Sequence, residues 1–309
     1  MSMNGEFSID ALLPPDMAQK AETIGVKKAN MPAGRLFLLA MLAGAFIALG
    51  AVFATTVSAG SITVRDALGQ VNATSALPYG VTRLLAGMAF SLGLILVVVG
   101  GAELFTGNNL IIMAFMSHKI SLRQLLRNWA IVYAGNFIGS IFTALIVVLT
   151  HQYAQGNGAI GLNALVTANA KTGLDFLPAL ASGIMCNTLV CLAVWLTYSA
   201  RSTTDKILAI IPPITAFVAA GFEHSVANMY FIPVGLFIKA WGNPAFFQTI
   251  GKSAADFASL TWGNFISNLI PVTLGNIIGG AVMVGAVYWM AYLRKDHARP
   301  GPQTGKELS

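Results

Sequence analysis

Gly221-Phe222-Glu223-His224-Ser225-Val226-Ala227-Asn228 places a Glu and a His side by side in a run with no other charge from Ile207 to Ile238. If that run crosses a bilayer, both side chains are expensive there, and an ionisable residue within a span is a functional-site candidate by default. The stretch has an echo. Gly101-Ala102-Glu103, with Asn108, repeats the spacing Gly-x-Glu-x-x-x-x-Asn about 120 residues earlier.

Composition supports the bilayer. Of 309 residues, 56% are hydrophobic and 10% charged, with a mean hydropathy of +0.70. Soluble domains carry about 25% charged residues, so the chain reads as a polytopic membrane protein, and its net charge of +6 calls for no nucleic acid. Cys186 and Cys191, five apart in one apolar run, point to different faces of a helix and form neither a disulfide nor a metal site. No cofactor motif is present.

Residues 1–34 form a polar cytoplasmic segment with no apolar core of signal-peptide type before the first long span. Pro14-Pro15-Asp16 starts an amphipathic helix with Met17, Ala21 and Ile24 on one face. Two readings stay open for it: a helix on the membrane surface, or a movable plug at the cytoplasmic mouth.

Six spans follow within residues 35–293. The first, Leu36 to about Val57, covers about 30 Å of hydrocarbon at roughly 1.5 Å per residue. The second starts after Arg83 and breaks at Glu103 to Asn109; the third runs from Asn128 to Thr150. Residues 151–175 read as a polar loop. The fourth span covers Phe176 to Ala200, the fifth starts at Ile207 and breaks at Gly221 to Asn228, and the sixth runs from about Thr261 to Leu293. Thirteen Lys and Arg fall on the side of the termini and five on the other, so both termini are cytoplasmic. Trp129, Trp195, Trp262 and Trp289 near span ends suit interface anchors. Residues 294–309 read as a disordered cytoplasmic tail.

The halves match twice. Besides the Gly-x-Glu motif, Gly135-Asn136-Phe137-Ile138-Gly139 resembles Gly275-Asn276-Ile277-Ile278-Gly279. Three spans per half is odd, so the second copy enters the membrane upside down. Repeats at about 35–150 and 174–293 then form the inverted pair expected of transport proteins, whose sites lie where broken helices meet near mid-membrane.

Half-helix N-termini favour anions. Thr106 adds a hydroxyl and His224 an imidazole, while Phe90, Leu94, Leu104, Phe105, Val190 and Phe217 make the surroundings apolar. Narrow apolar constrictions on either side of a polar spot suit a small monovalent anion. His224, with a reference pKa of about 6.5, switches charge in the physiological range, and either attracts the anion or lends it a proton; the plain alternative is a neutral histidine bonded to the opposite loop. Bare carboxylates would repel an anion, so Glu103 and Glu223 are expected to bind backbone N–H groups and shape the loops with Ser225, Asn108 and Asn228. Asn136 and Asn276 are structural first, with Asn276 a candidate for the pathway.

These residues resemble the formate/nitrite transporter family, most closely its formate channels. The likeness runs from Leu12-Leu13-Pro14 to about Leu293 and is most specific at Gly101 to Thr106, Asn187 to Ala193, Gly221 to Ser225 and Ile270 to Asn276. It implies an all-α, aquaporin-like protomer with helices two and five broken at mid-membrane. It also implies a homopentamer with one pore per subunit, in a bacterial cytoplasmic (inner) membrane. The cargo would be formate and related anions such as nitrite, acetate and lactate, with protons, by a bidirectional channel or formate/proton symport. Thr106 and His224 would be the central polar pair, Asn187 would join Asn276 along the pathway, and Phe90, Leu94, Leu104, Val190 and Phe217 would line the constrictions. The N-terminal helix would take part in pH gating. Glu103 in place of the commoner Asp, and Thr188 where an apolar residue is usual, depart from the pattern.

The alternatives are a nitrite- or hydrosulfide-selective channel of the same family, a water or glycerol channel, or a membrane-embedded enzyme. Asn243-Pro244-Ala245 hints at a water channel but stands alone at a span end beside Trp241. No His-Glu-x-x-His pair or Cys/His cluster supports an enzyme.

Overall fold

The computed structural model describes residues 10–65, 71–75 and 77–294. The tail expected at 294–309 lies outside them apart from Arg294. Helix α1 (Pro14–Ala29) begins where Pro14 and Pro15 preset φ and spare two N–H donors. The first half continues through α2 (Ala33–Val57), an antiparallel ribbon of β1 (Ile62–Arg65) and β2 (Val71–Ser75), and α3 (Tyr79–Gly100). Two short helices, α4 (Phe105–Asn108) and α5 (Ile112–Met116), follow, then α6 (Leu122–Leu149) closes the first half and α7 (Ala159–Thr172) leads into the second. The second half runs through α8 (Phe176–Ser199), α9 (Thr203–Ala220), α10 (Ser225–Trp241) and the short α11 (Pro244–Ile250). It ends in α12 (Trp262–Ile277), which a π-helical stretch, Ile278–Ala286, carries into α13 (Val287–Tyr292).

Among the described residues, α2, α3, α6, α8, α9 and the α12–α13 rod are long and apolar enough to cross a membrane. The breaks fall where the motifs put them. α3 and α9 stop at Gly101 and Gly221, whose φ values of 79° and 78° are left-handed and open to glycine at little strain. Helix resumes at Phe105 and Ser225.

The two halves pack alike: α2 lies on α3 and α6, and α8 on α9 and α12. Small residues make this possible. A Cβ at Gly87 would sit 2.7 Å from the Thr215 carbonyl of α9, because backbones here touch without side chains between them. Gly87→Val therefore overpacks the α3–α9 contact and is expected to destabilise the fold by about 1–3 kcal/mol, read as a lower thermal midpoint of the purified protein in detergent.

Three expectations need correction. Residues 151–175 are not simply a loop: Gly161, Ala164, Leu165, Ala168 and Thr172 are the buried face of α7, and Ala168 meets Gly235 of α10. Small residues and two asparagines mask that face in a hydropathy reading. Trp195 is not an interface anchor, since it is buried and stacked 4.1 Å from Tyr288. Trp129 turns inward as well, donating from Nε1 to the Asn108 carbonyl at 3.0 Å.

α1 is docked on the bundle. Met17, Ala18 and Ala21 are buried in a cluster with Leu110, Met113, Tyr198 and Leu293. Lys20 donates to the Tyr198 carbonyl at 2.7 Å, Ser199 Oγ donates to the Leu12 carbonyl at 2.9 Å, and Glu22 pairs with Lys119. The face that α1 covers also carries the ends of α5, α8 and α13.

Candidate functional site

Each break exposes backbone groups that a bilayer cannot satisfy. Asn136 on α6 and Asn276 on α12 satisfy them in the same way. The Asn136 side chain accepts from Phe105 N at 2.9 Å and donates to the Glu103 carbonyl at 3.0 Å and the Ala40 carbonyl at 2.7 Å. Asn276 accepts from Ser225 N at 2.9 Å and donates to the Glu223 carbonyl at 3.0 Å and the Gly183 carbonyl at 2.8 Å. One amide thus ties each broken helix to the first helix of its own half. Asn276 is a brace.

The carboxylates form a second matched pair. Lys28 of α1 donates to Glu103 Oε2 at 3.0 Å and to Asn108 Oδ1 at 2.8 Å. Asn108 Nδ2 donates to Glu103 at 2.8 Å and to Asn128 Oδ1 at 3.0 Å, and Asn128 Nδ2 to the Lys28 carbonyl at 3.0 Å. In the other half, Lys171 of α7 pairs with Glu223 at 2.6 Å, and Asn228 Nδ2 donates to Glu223 at 2.6 Å and to Asn268 Oδ1 at 2.8 Å. Asn268 Nδ2 closes that ring on the Lys171 carbonyl at 2.8 Å. The expected backbone partners of the carboxylates are therefore replaced by lysine and asparagine side chains. The nearby loop amides are engaged elsewhere: Glu103 N donates to the Leu39 carbonyl at 3.2 Å and Glu223 N to Ser182 Oγ at 3.0 Å.

Between these clusters the two half-helix N-termini meet. His224 is 2% exposed and caps α10, its Nδ1 accepting from Ala227 N at 3.0 Å. A ring nitrogen that accepts an N–H carries no proton, so the imidazole is neutral and its hydrogen sits on Nε2. Nε2 lies 3.0 Å from Thr106 Oγ1, which follows Phe105 at the start of α4. The Nε2–H donates and the Thr106 hydroxyl accepts. That arrangement leaves the hydroxyl hydrogen without an acceptor among the described residues.

Apolar side chains crowd the pair. Phe217 stacks on the imidazole at 5.9 Å and meets Phe90 edge-on at 5.6 Å. Leu94 and Leu104 line a cavity of about 270 Å³ that reaches from Glu103 and Lys28 to Lys20, Tyr198 and Lys206. Burial, and then the charges of Lys206 and Arg201, lower the Lys20 pKa from its ordinary value. Phe105 is buried in the same apolar cluster and lies edge-on to Tyr133 at 4.9 Å. Val190 is buried in the same core as Phe90 and Phe217.

The remaining candidates take varied positions. Asn187 donates to the Asn276 carbonyl at 2.7 Å and to Asn109 Oδ1 at 3.0 Å, joining the halves. Ser225 Oγ and Asn228 Oδ1 are buried without a hydrogen-bond partner among the described residues. Thr188 bonds back to the Ile184 carbonyl at 2.9 Å, within α8. Asn243 caps α11 through Phe246 N at 2.7 Å, beyond the end of α10 opposite His224, so the Asn-Pro-Ala triplet serves as a helix start.

Lys28, Lys171, Asn128 and Asn268 escape a reading of the sequence motifs. The asparagines have a signal: their separation equals that of Asn136 and Asn276. The lysines have none, because one lies before the first span and the other in an apparent loop.

Residues 15–290 match the family described as Formate/nitrite transporter. The chain is 44% identical over 297 residues to the Formate channel FocA of Escherichia coli (strain K12), covering 96% of this chain and 100% of the relative. Its identity to the Formate channel FocA of Haemophilus influenzae is 41%, over 96% of this chain and 99% of that protein. A solved structure titled "Pentameric formate channel with formate bound" is similar with a TM-score of 0.76 at 49% identity, covering 85% of this chain and 98% of the other. With its breaks, braces and full-length similarity taken together, this chain belongs to the formate/nitrite transporter family.

Proposed function

We propose that the protein carries formate and similar small monovalent anions, among them nitrite, acetate and lactate, across a bacterial inner membrane, through one pore in each subunit of a homopentamer. In this reading residues 35–293 are the channel unit, the α1 face is cytoplasmic, and residues 1–34 and 294–309 flank it on that side. The observation that carries it is the 3.0 Å contact of Thr106 with His224 at the meeting of two half-helix N-termini, with a Lys–Glu–Asn cluster on either side.

The chemistry follows from charge and dielectric. Lys28 and Lys171 draw an anion toward each end of the path, their charges partly offset by Glu103 and Glu223. A bare carboxylate loses its hydration between Leu94 and Leu104 or between Phe90 and Phe217, which is costly without a full set of partners. A His224 imidazolium, formed by a proton from the acidic side, can pass that proton to formate and return to neutral imidazole, giving a neutral acid that passes these walls at far lower cost. At the centre, Nε2–H of His224 and the Thr106 hydroxyl are the two groups able to bond the passing oxygen atoms. Imidazolium forms only if Nδ1 gives up the Ala227 N–H, so acid both charges the centre and loosens the α10 cap. The same residues serve a channel or a formate/proton symporter.

α1 supplies Lys28 and covers the cavity, which supports a gating role. Deleting residues 1–28 is expected to change formate flux at low pH in liposomes. Unchanged flux at every pH would leave α1 as a docked surface helix.

A further inference from the structure

We infer that Arg83 is a positioning residue that clamps the His224 loop from the face opposite α1, so that the two helix breaks differ in stiffness and the Glu103 break is the one that yields. This rests on the reading of His224 as the centre of the pathway, and it makes the near-symmetric site unequal.

A helix leaves its last carbonyls without intrahelical partners, and within a membrane each must find one. At the end of α9, Gly221 N donates to the Val218 carbonyl at 3.1 Å and Phe222 N to the Phe217 carbonyl at 3.0 Å. Arg83, on the first turns of α3, supplies the partner that the Ala219 carbonyl lacks and a second donor to the Val218 carbonyl. Its Nε donates to the Ala219 carbonyl at 3.3 Å, and Nη2 donates to the Val218 carbonyl. A guanidinium is suited to this task, because its fixed fork reaches two adjacent acceptors and its charge complements the negative end of the helix dipole. Contact between Gly87 and the Thr215 backbone brings α3 close enough for the reach. Only Gly221, Phe222 and Glu223 separate the clamped turn from His224.

The other break lacks this clamp. Gly101 N and Ala102 N both donate to the Val97 carbonyl, at 3.1 and 2.9 Å. Among the described residues no side chain bonds the carbonyls of Val98 or Val99, and Val98 lines the cavity. The position that matches Arg83 by the repeat spacing is Thr203, which begins α9 and has no charge to offer. The ties that hold the first break in place of a clamp include Lys28, and α1 brings that lysine. Release of α1 therefore loosens a loop with no cap of its own, whereas the His224 loop keeps its guanidinium.

The test uses the full-length protein in nanodiscs and compares Arg83→Gln and Arg83→Lys with wild type by hydrogen exchange and by liposome uptake of labelled formate. In wild type, amides of residues 221–224 exchange more slowly than those of 101–104. In Arg83→Gln the exchange of 221–224 rises about tenfold, while that of 101–104 stays as it was. Lysine, a point charge, restores part of the protection. Maximal formate uptake falls in Arg83→Gln and recovers in part in Arg83→Lys, with the half-saturating concentration little changed. Should Arg83→Gln fail to assemble, Arg83→Lys and the wild-type comparison decide the matter alone. Equal exchange at both breaks in wild type, or unchanged exchange at 221–224 in the variants, overturns the clamp. Absence of formate uptake by wild type overturns the transport reading and leaves the exchange result standing.

Discussion

His224→Asn is expected to keep the fold and lose the function. Asparagine is a favoured N-cap, so its side-chain oxygen takes over the Ala227 N–H that His224 Nδ1 now accepts. What it cannot supply is the Nε2–H that faces Thr106. Losing that donor's hydrogen bond to the charged formate removes about 1.5–3 kcal/mol, so formate flux should fall roughly tenfold to a hundredfold, and the residual flux should lose its pH dependence. His224→Phe preserves the stacking volume against Phe217 but also removes the cap, so it should lower thermal stability by about 1 kcal/mol as well. Comparing the two separates capping from conduction. Flux in His224→Asn that retains its full pH profile would rule out the histidine as the proton-sensitive group.

Lys171→Met should unsettle the protein more than Lys28→Met. Glu223 is 6% exposed and its lysine partner 14%, whereas the lysine facing Glu103 is 26% exposed. Stranding a buried carboxylate by removing its partner costs about 3–5 kcal/mol, and the wetter Glu103 pair loses less because solvent reaches it. The double variant Lys171→Met with Glu223→Gln removes both charges and should recover most of the thermal midpoint in detergent. It should not recover transport, since the cation that gathers the anion is gone. A double variant as unstable as Lys171→Met alone would show that Lys171 acts through packing instead, for example through its position 5.6 Å over the Phe231 ring.

The architecture was legible in the sequence because bilayer physics leaves few solutions: six apolar stretches, two glycine-led breaks and asparagines at equal offsets define an inverted repeat. The nearness of Thr106 to His224 was legible for the same reason, since the two residues lie within the two breaks. The partners of the carboxylates were not. Lys28 reaches Glu103 only because α1 folds back under the bundle, and Lys171 reaches Glu223 only because α7 forms a helix inside an apparent loop. Both contacts are tertiary, and neither hydropathy nor spacing encodes them.

The most direct test is uptake of labelled formate by liposomes containing only the purified protein, compared with protein-free liposomes, with and without an inward proton gradient. Uptake well above the protein-free rate, fastest with acid outside and abolished by His224→Phe, is the expected result. Uptake equal to that of protein-free liposomes, or fully retained by His224→Phe at each pH, would contradict a formate pathway centred on Thr106 and His224.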